Sequence, residues 1–277
     1  MSFGKACAMS FVAQALFFGR VRSAKICLPV STVSEHYETL LAQHYSWMFN
    51  QSFAEKVAEQ RRILEEVLPA REAEGRELAL DLGAGPGFQS VALAELGFSR
   101  VVAVETSELL LKELEAHRGE HPVESVRADI RDLASIAAPG RANVILCMGD
   151  TLTHLPSKAD VDQLFLSAYN TLASRGSLIL TFRDLTTELH GLDRFLPIRS
   201  EGDKIMTCFL EFESPESVRV HDLIYVHGSS GWTLKKSSYP KLRLATTWVA
   251  QHLVDAGFSI SVERPVGRLQ LIAAKKP

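Results

Sequence analysis

The sequence has few cysteines, and their spacing excludes the metal sites and redox motifs that cysteine pairs form. The four cysteines are Cys7, Cys27, Cys147 and Cys208. Because no two of them are separated by two residues, we predict no zinc site and no CxxC redox pair. Scattered thiols are typical of reducing compartments, which predicts a cytoplasmic protein.

Long hydrophobic runs are also missing. The most apolar stretch near the start, residues 6–18, is interrupted by Ser10 and Gln14. It is shorter than the ~20 apolar residues that a membrane helix needs, so we predict no membrane association.

The first 34 residues contain no aspartate or glutamate, although they hold four basic residues. A basic start, a short apolar centre and the letters AQA resemble an export signal. A poorly ordered extension, or a start site placed too far upstream, would explain the same composition. We expect residues 1–34 to be a poorly ordered extension and residues 35–277 to form the folded part of the chain.

A strong positive charge is absent as well. The formal net charge of the 277 residues is -3, and 23% of them are charged. Nucleic acid usually selects a concentrated basic face, so we predict no nucleic-acid partner.

Short apolar runs alternate with helical segments between residues 78 and 181. The runs are Leu78–Leu82, Val101–Val104, Val123–Ala128, Val144–Cys147 and Leu178–Thr181. The helical segments between them are Gln89–Leu96, Ser107–His117 and Ala159–Ala173. Runs that are apolar throughout suit strands covered on both faces, and this alternation indicates parallel strands with right-handed crossovers. The sequence therefore predicts an α/β fold with a doubly wound, mostly parallel sheet.

Two segments flank or interrupt this alternation. Residues 35–70 have a helical pattern that is rich in aromatic residues and predict a helical cap. Residues 185–244 contain three apparent antiparallel strands, 204–213, 217–228 and 232–244, which predict a substrate-side insertion after the fifth strand. A helix over residues 245–258 and two further strands close the chain.

The stretch LALDLGAGPGF contains three closely spaced glycines, Gly83, Gly85 and Gly87. A dinucleotide-binding turn needs G-x-G-x-x-G, and its third glycine would fall on the bulky Phe88. A phosphate loop is excluded because no Gly-Lys-Ser/Thr follows. The turn therefore predicts a different ligand from NAD or a nucleoside triphosphate.

Three carboxylates lie in or at the end of successive predicted strands: Asp81, Glu105 and Asp129. Each alone could be a cap, a turn residue or a solvated side chain. A carboxylate like Glu105 can accept both hydroxyls of a ribose, and one like Asp129 can accept the exocyclic amine of an adenine. Because the carboxyl edge of such a sheet binds ligands, the three together indicate a nucleoside site.

The motifs LALDLGAGPGF, VVAVETS and RADIRD resemble the first three motifs of class I S-adenosylmethionine-dependent methyltransferases. The resemblance implies a seven-stranded Rossmann-like sheet, S-adenosyl-L-methionine as cofactor and S-adenosyl-L-homocysteine as product. It implies that Asp81 reaches the amino group of the cofactor, directly or through water, and that Gly83, Gly85 and Gly87 pack against its methionine part. Glu105 would hold the ribose, Asp129 and Ile130 would face the adenine, and the Cys147 or Met148 carbonyl would meet the ammonium. Ala84 and Thr106 are the remaining residues expected to bind the cofactor.

The stretch CMGDTLTHL is similar to the segment after the fourth strand in glycine and sarcosine N-methyltransferases, with Asp150 where those enzymes have asparagine. His154 could deprotonate the acceptor or could simply hydrogen-bond its loop. Arg183, after the fifth strand, could clamp an acidic substrate or could pair with Asp184 or Glu188. Asp150, His154 and Arg183 are the catalytic candidates.

Aromatic residues supply the remaining candidates. An aromatic ring attracts a cation, and the candidates to face the cofactor sulfonium are Tyr37, Tyr45, Trp47 and Phe49, with Tyr45 expected first. Trp47, Trp232 and Tyr239, together with Arg183, are expected to contact the substrate, although aromatic residues on a cap or hairpin can also be plain packing.

The resulting hypothesis is a monomeric or homodimeric enzyme that methylates a nitrogen or oxygen of a small molecule, with no metal. The alternatives are a methyltransferase acting on RNA or protein, and a catalytically silent S-adenosylmethionine-binding protein.

Overall fold

The computed structural model describes residues 32–68 and 77–277. The expectation for the N-terminal extension lies outside the described residues, apart from its last three positions. Those positions are ordered: Thr32 caps a helix that begins at Val33. None of the helices in the described ranges is long and apolar enough to cross a membrane.

Strands β1 to β5 and two later strands form one sheet, and four further strands form another. In chain order the strands are β1 Leu78–Leu82, β2 Arg100–Glu105, β3 Val123–Arg127, β4 Ala142–Cys147, β5 Leu172–Phe182, β6 Phe195–Glu201, β7 Lys204–Phe212, β8 Ser217–Gly228, β9 Gly231–Leu242, β10 Ser259–Val266 and β11 Leu269–Lys275. The helices are α1 Val33–His36, α2 Phe53–Val67, α3 Phe88–Glu95, α4 Glu108–His117, α5 Leu133–Ile136, α6 Lys158–Thr171 and α7 Thr246–Asp255.

The main sheet has seven strands in the order β10-β11-β5-β4-β1-β2-β3. Strands β1 to β5 are parallel, while β11 runs antiparallel to β5 and β10 antiparallel to β11. The prediction of a mostly parallel, doubly wound seven-stranded sheet is confirmed. From β1 the chain continues to β2 and β3 on one side and then crosses to β4 and β5 on the other side. The strand order therefore reverses between β1 and β4, and ligands bind such sheets at the carboxyl ends of the strands at this switch point.

The main sheet is buried on both faces because its strands are apolar at almost every position. Leu80 and Leu82 of β1 point into one core layer, which is closed by Phe165 of α6 and Leu253 of α7. Ala79 of β1 points into the opposite layer, which α2 and α3 cover. The alternation follows from the two-residue period of a strand, and it explains why these runs showed no polar face.

The helical cap begins with α1 and continues through short turns, Tyr37–Leu41, Ala42–His44 and Ser46–Phe49, into α2. Thr32 and Glu35 form a capping box: the Glu35 amide donates to Thr32 Oγ1 at 3.2 Å, and the Thr32 amide donates to Glu35 Oε2 at 2.8 Å. This arrangement satisfies donors that would otherwise be unpaired at the helix start.

The insertion is a four-stranded antiparallel sheet, β6-β7-β8-β9, and the prediction of three strands was wrong by one. The missed strand, β6, contains Pro197 and pairs with β7 alone. An edge strand with a proline carries a weak strand signal, since proline cannot donate to the ladder. One face of the insertion is buried through alternate residues such as Met206 and Leu210 of β7.

Candidate active site

The glycine turn is fixed to the neighbouring strand by its own backbone. The amides of Gly83 and Ala84 donate to the Val104 carbonyl at 2.8 and 3.0 Å. Gly83, Gly85 and Gly87 all have positive φ, at 73°, 57° and 94°, which residues with a side chain rarely adopt.

The three glycines lie against different neighbours. A Cβ on Gly83 would lie 2.4 Å from Thr151 Cγ2, and one on Gly87 would lie 2.7 Å from Leu114 Cγ. A Cβ on Gly85 would meet only the Tyr45 ring, at 3.5 Å. Gly83 and Gly87 are therefore required by packing, whereas Gly85 keeps open the space in front of Tyr45.

Glu105 ends β2 and ties the turn to the sheet edge. Its Oε2 accepts from the Gly85 amide at 3.0 Å, and its Oε1 accepts from the Thr106 and Ser107 amides at 2.8 and 2.9 Å. Oε1 also accepts from the Thr106 hydroxyl at 3.2 Å, so the lone pair left for a ligand is on Oε2, which accepts from the Gly85 amide alone.

A first cavity of about 310 Å³ opens in front of this turn. Its wall contains Thr32, Val33, Ser34, Tyr37, Tyr45, Gly83, Gly85, Glu105, Thr106, Leu110, Asp129, Ile130, Arg131, Gly149, Thr151, His154, Leu155 and Pro156. Asp129 is held there by Arg131, whose Nη2 lies 2.7 Å from Asp129 Oδ2. Hydrogen bonds from the Arg131 side chain lower the pKa of Asp129, which is therefore ionised.

A second cavity of about 370 Å³ adjoins the first. It lies between the cap, the ends of β4 and β5, and the buried face of the insertion. The two cavities share four residues: Tyr37, Tyr45, Gly149 and His154. These four residues form the boundary between the cavities.

Asp150 anchors the charged side of the second cavity. This residue has a φ of 82°, is buried, and accepts from Lys241 Nζ at 2.5 Å and from the Arg183 amide at 2.9 Å. Arg183 Nε also lies 3.3 Å from Asp150 Oδ2. Burial by itself would raise the pKa of Asp150, but the charges of Lys241 and Arg183 outweigh it and lower the pKa.

His154 lies on the boundary with its ring between Tyr37 and Tyr239, at centroid distances of 5.7 and 5.5 Å. Its Nε2 is buried and has no hydrogen-bond partner among the described residues. Burial and the Lys241 charge lower the pKa of His154 to about 3. The imidazole is therefore neutral at physiological pH and is a weak proton acceptor.

A second histidine joins the cap to the insertion. His36 Nε2 lies 2.9 Å from Asp222 Oδ2, and both side chains are buried. The His36 ring also packs on Tyr239 at a centroid distance of 4.2 Å. Helix α1 is thus held against β8 and β9 by one buried polar contact and one ring contact.

The structure brings most of the predicted site residues to one of the two cavities. Those that line the first cavity are Tyr45, Gly83, Gly85, Glu105, Thr106, Asp129, Ile130 and His154. Those that line the second are Tyr45, Asp150, His154, Arg183 and Tyr239.

Seven predicted residues line neither cavity: Trp47, Asp81, Ala84, Gly87, Cys147, Met148 and Trp232. Asp81 is buried below the turn, accepts from Ser90 Oγ at 2.6 Å, and has its pKa raised by burial to about 7. Ala84, Cys147 and Met148 are buried in the core, and burial raises the pKa of the Cys147 thiol. The cofactor contacts expected of these residues stay predictions.

The two predicted tryptophans lie outside both cavities. Trp47 donates to Glu201 at 3.0 Å and packs against the Arg199 guanidinium, so it joins the cap to β6. Trp232 is 51% exposed at the start of β9, beside His227. The expected substrate contacts of both tryptophans stay predictions.

Several cavity residues were not predicted: Thr32, Arg131, Asp222, Lys241 and Arg268. Asp222 had a signal, since an aspartate inside the apolar strand VRVHDLIYV must find a partner when buried. Lys241 had none, because a lysine in YPKLRL looks like a solvated strand residue. No group of three or more His, Cys, Asp or Glu side chains within residues 32–68 and 77–277 could hold a metal ion.

The strand order, the glycine turn and the carboxylates at the ends of β2 and β3 define the fold of a class I methyltransferase. Residues 79–176 match a family model described as a methyltransferase domain. This segment is thus similar to methyltransferase domains, and the chain has the class I methyltransferase fold that its motifs predicted.

Curated relatives match part of the chain. Glycine/sarcosine N-methyltransferase of Halorhodospira halochloris is 36% identical over 121 residues, which are 43% of this chain and 45% of that protein. Cypemycin N-terminal methyltransferase of a Streptomyces species is 51% identical over 63 residues, 23% of this chain and 25% of that protein. This chain therefore spans less than half the length of these relatives.

Solved structures match over a larger part of the chain and show the fold. The CcbJ methyltransferase from Streptomyces caelestis has a TM-score of 0.70 at 17% identity, covering 88% of this chain and 98% of that chain. The sugar N-methyltransferase KedS8 from Streptoalloteichus has a TM-score of 0.64 at 16% identity, covering 99% of both chains.

Proposed function

We propose that this chain is an S-adenosylmethionine-dependent methyltransferase that methylates the nitrogen of a small-molecule amine. The observation that carries the proposal is the pair of cavities that meet at Tyr37, Tyr45, Gly149 and His154. In-line displacement needs a donor and an acceptor held on opposite sides of one opening, and such alignment can supply about 7–11 kcal/mol of the barrier.

The first cavity fits the cofactor by the chemistry of its wall. Glu105 Oε2 has a lone pair left for a ribose hydroxyl, while Asp129 and Ile130 can flank an adenine. Gly85 leaves free the space that a Cβ would fill in front of Tyr45. Bound there, S-adenosylmethionine supplies an electrophilic methyl group on a sulfonium.

Tyr37 and Tyr45 are suited to the sulfonium end of the cofactor. Their ring centroids are 6.0 Å apart at the boundary, and burial raises both pKa values, so both are neutral phenols. Aromatic faces attract a nearby cation by about 0.5–2 kcal/mol, and the two rings also exclude water from the boundary.

The side chains at the boundary favour an amine over a hydroxyl as acceptor. A neutral amine attacks with its own lone pair: the N–C bond forms, the C–S bond breaks with its electrons going to sulfur, and the N–H proton leaves to solvent. A hydroxyl would need a base, and His154 has a pKa of about 3. The Asp150 carboxylate is already engaged by Lys241 and Arg183.

The second cavity supports a small acceptor over a macromolecule, because its wall is built from the cap and the insertion on opposite sides. The relatives named for N-methylation of glycine and sarcosine support nitrogen as the acceptor atom. A cytoplasmic location, a monomeric or homodimeric state and the absence of a nucleic-acid partner stay predictions.

Calorimetric titration with S-adenosylhomocysteine tests the cofactor site. We expect binding to the full chain, an affinity about ten- to hundredfold lower in Glu105→Ala, and an unchanged affinity in Glu124→Ala, which removes an exposed carboxylate paired with Arg100. Equal affinities in the two variants would overturn the assignment of Glu105.

Transfer of a labelled methyl group tests the activity. We expect incorporation into members of a small-amine panel and none into bulk RNA or protein. Incorporation into RNA or protein alone would favour the macromolecular alternative, and cofactor binding without any transfer would favour the silent one.

A further inference from the structure

The insertion gives the second cavity an apolar wall. Leu196 and Ile198 of β6, Met206 and Leu210 of β7 and Val220 of β8 all line it. In β7 these residues alternate with outward-facing ones, and Pro197 of β6 lines the cavity as well, so one face of the antiparallel sheet supplies this apolar wall. An acceptor that fills this side of the cavity must have an apolar body.

The size of the second cavity points the same way. At about 370 Å³ it is larger than the first cavity, at about 310 Å³. By the proposed function the first cavity holds an entire adenosylated amino acid. A two-carbon acceptor such as glycine would leave most of the second cavity unfilled.

The charges of the second cavity do not balance. It is lined by three cations, Arg183, Lys241 and Arg268, and by two carboxylates, Asp150 and Asp222. Lys241 and Arg183 both contact Asp150, and Asp222 contacts His36. Arg268 pairs with no Asp or Glu of the described ranges.

Arg268 lies in the turn between β10 and β11, where the residue is exposed and lines the cavity. Arg183 follows β5 and uses its Nε on Asp150, which leaves its other donors for a ligand. A carboxylate on the ligand would neutralise the excess charge, and a guanidinium can bind it through two parallel hydrogen bonds.

We propose that the second cavity binds an anionic amphiphile, a molecule with an apolar body against β6, β7 and β8 and a carboxylate at Arg268 and Arg183. Its description as the methyl acceptor rests on the proposed function, whereas its binding does not. The acceptor class is then an amine that carries both an apolar body and a carboxylate.

A fluorescence titration with anilinonaphthalenesulfonate, an anionic aromatic probe, tests the cavity. It is done on the full chain with S-adenosylhomocysteine present to fill the first cavity. We expect saturable binding that is weakened at least about tenfold by Leu196→Trp, which fills the cavity, and is unchanged by Phe195→Trp, which adds the same indole on the outward face. No saturable binding, or equal loss in both variants, would overturn the proposal.

The surface variant Arg268→Gln tests the anionic part without disturbing the core. We expect probe binding to weaken about two- to fivefold, because Arg268 is exposed and its attraction to an anion is screened. Unchanged probe binding would contradict the role of Arg268.

Competition against the bound probe separates the two chemical requirements. We expect phenylbutyrate to displace the probe at a concentration at least about tenfold below that needed for phenylbutylamine or glycine. Equal potency of glycine would overturn the apolar body, and equal potency of phenylbutylamine would overturn the anionic group. If the probe results were as expected but S-adenosylhomocysteine did not bind the chain, the proposed function would be refuted and the anionic amphiphile site would stand.

Discussion

At the scale of single residues, the three turn glycines share a left-handed backbone but are needed for different reasons. Gly87→Ala places a Cβ 2.7 Å from Leu114 Cγ, whereas Gly85→Ala places one 3.5 Å from the Tyr45 ring, at the first cavity. Both variants lose about 1–2 kcal/mol to the backbone conformation. We expect Gly87→Ala to lose a further ~1–3 kcal/mol of unfolding free energy through overpacking.

We expect the same two variants to differ in their affinity for the cofactor product. We expect Gly85→Ala to bind S-adenosylhomocysteine at least about tenfold more weakly, and folded Gly87→Ala to bind it almost normally. Urea unfolding measures the stabilities and calorimetry measures the affinities. If Gly87→Ala were the variant that lost affinity, the distinction between packing and cavity glycines would be wrong.

His154 carries the second prediction at this scale. Its pKa is lowered to about 3, so the ring should stay neutral across the range from about pH 5 to pH 8, where a free imidazole titrates. We expect its proton NMR signals, assigned by their disappearance in His154→Gln, to show no titration there. A shift centred near about pH 6.5 would restore His154 as a candidate base.

The residues that could be predicted from sequence are those whose chemistry conflicts with their local pattern. Asp81 stood out because a carboxylate inside an apolar strand is costly, and Glu105 because it ends a strand at the ligand-binding edge. Lys241 could not be found this way, because its partner Asp150 is 91 positions away and only the folded chain brings the two together.

At the scale of elements, the contact between α1 and β8 depends on one buried pair. We expect His36→Ala to lower the unfolding free energy by about 3 kcal/mol, since it leaves the Asp222 carboxylate buried without its partner. It should also weaken cofactor binding, because Val33, Ser34 and Tyr37 line the first cavity. Urea unfolding, limited proteolysis of the cap and calorimetry measure these effects.

His221→Ala is the matched control for this prediction. His221 precedes Asp222 on the same strand and pairs with Glu211 at the surface. Exposed pairs of this kind contribute about 0–1 kcal/mol, so little change is expected. Equal effects of the two variants would show that α1 is not held by His36.

The central sheet was predictable at this scale because each buried strand repeats one pattern and each crossover helix repeats another. The insertion was only partly predictable: β7, β8 and β9 alternate clearly, whereas β6 contains Pro197 and has one neighbour. The sequence did not predict the contact between α1 and the insertion, because His36 and Asp222 are 186 positions apart.

At the scale of the whole molecule, two buried groups give stability opposite dependences on pH. Asp81 has a pKa raised to about 7, so the native state keeps a proton that the unfolded chain releases near pH 3.8, and stability falls as pH rises between these values. His154 has a pKa lowered to about 3, so below about pH 6.5 the unfolded chain binds a proton at this residue that the native state does not bind. Its contribution to stability therefore falls as pH drops from 6.5 to about 3.

Asp81→Asn isolates the first of these effects. The variant keeps a hydrogen-bonding group beside Ser90 but cannot ionise, so it should lose the decline in stability between about pH 4 and pH 7. The unfolding free energy of the variant relative to the parent chain should then rise by on the order of 4 kcal/mol over this range. Urea unfolding at several pH values measures the difference, with the exposed Asp193→Asn as control. A difference that does not change with pH would mean that Asp81 is ionised throughout, and that the cofactor turn is supported by a buried charge rather than by a protonated carboxyl group.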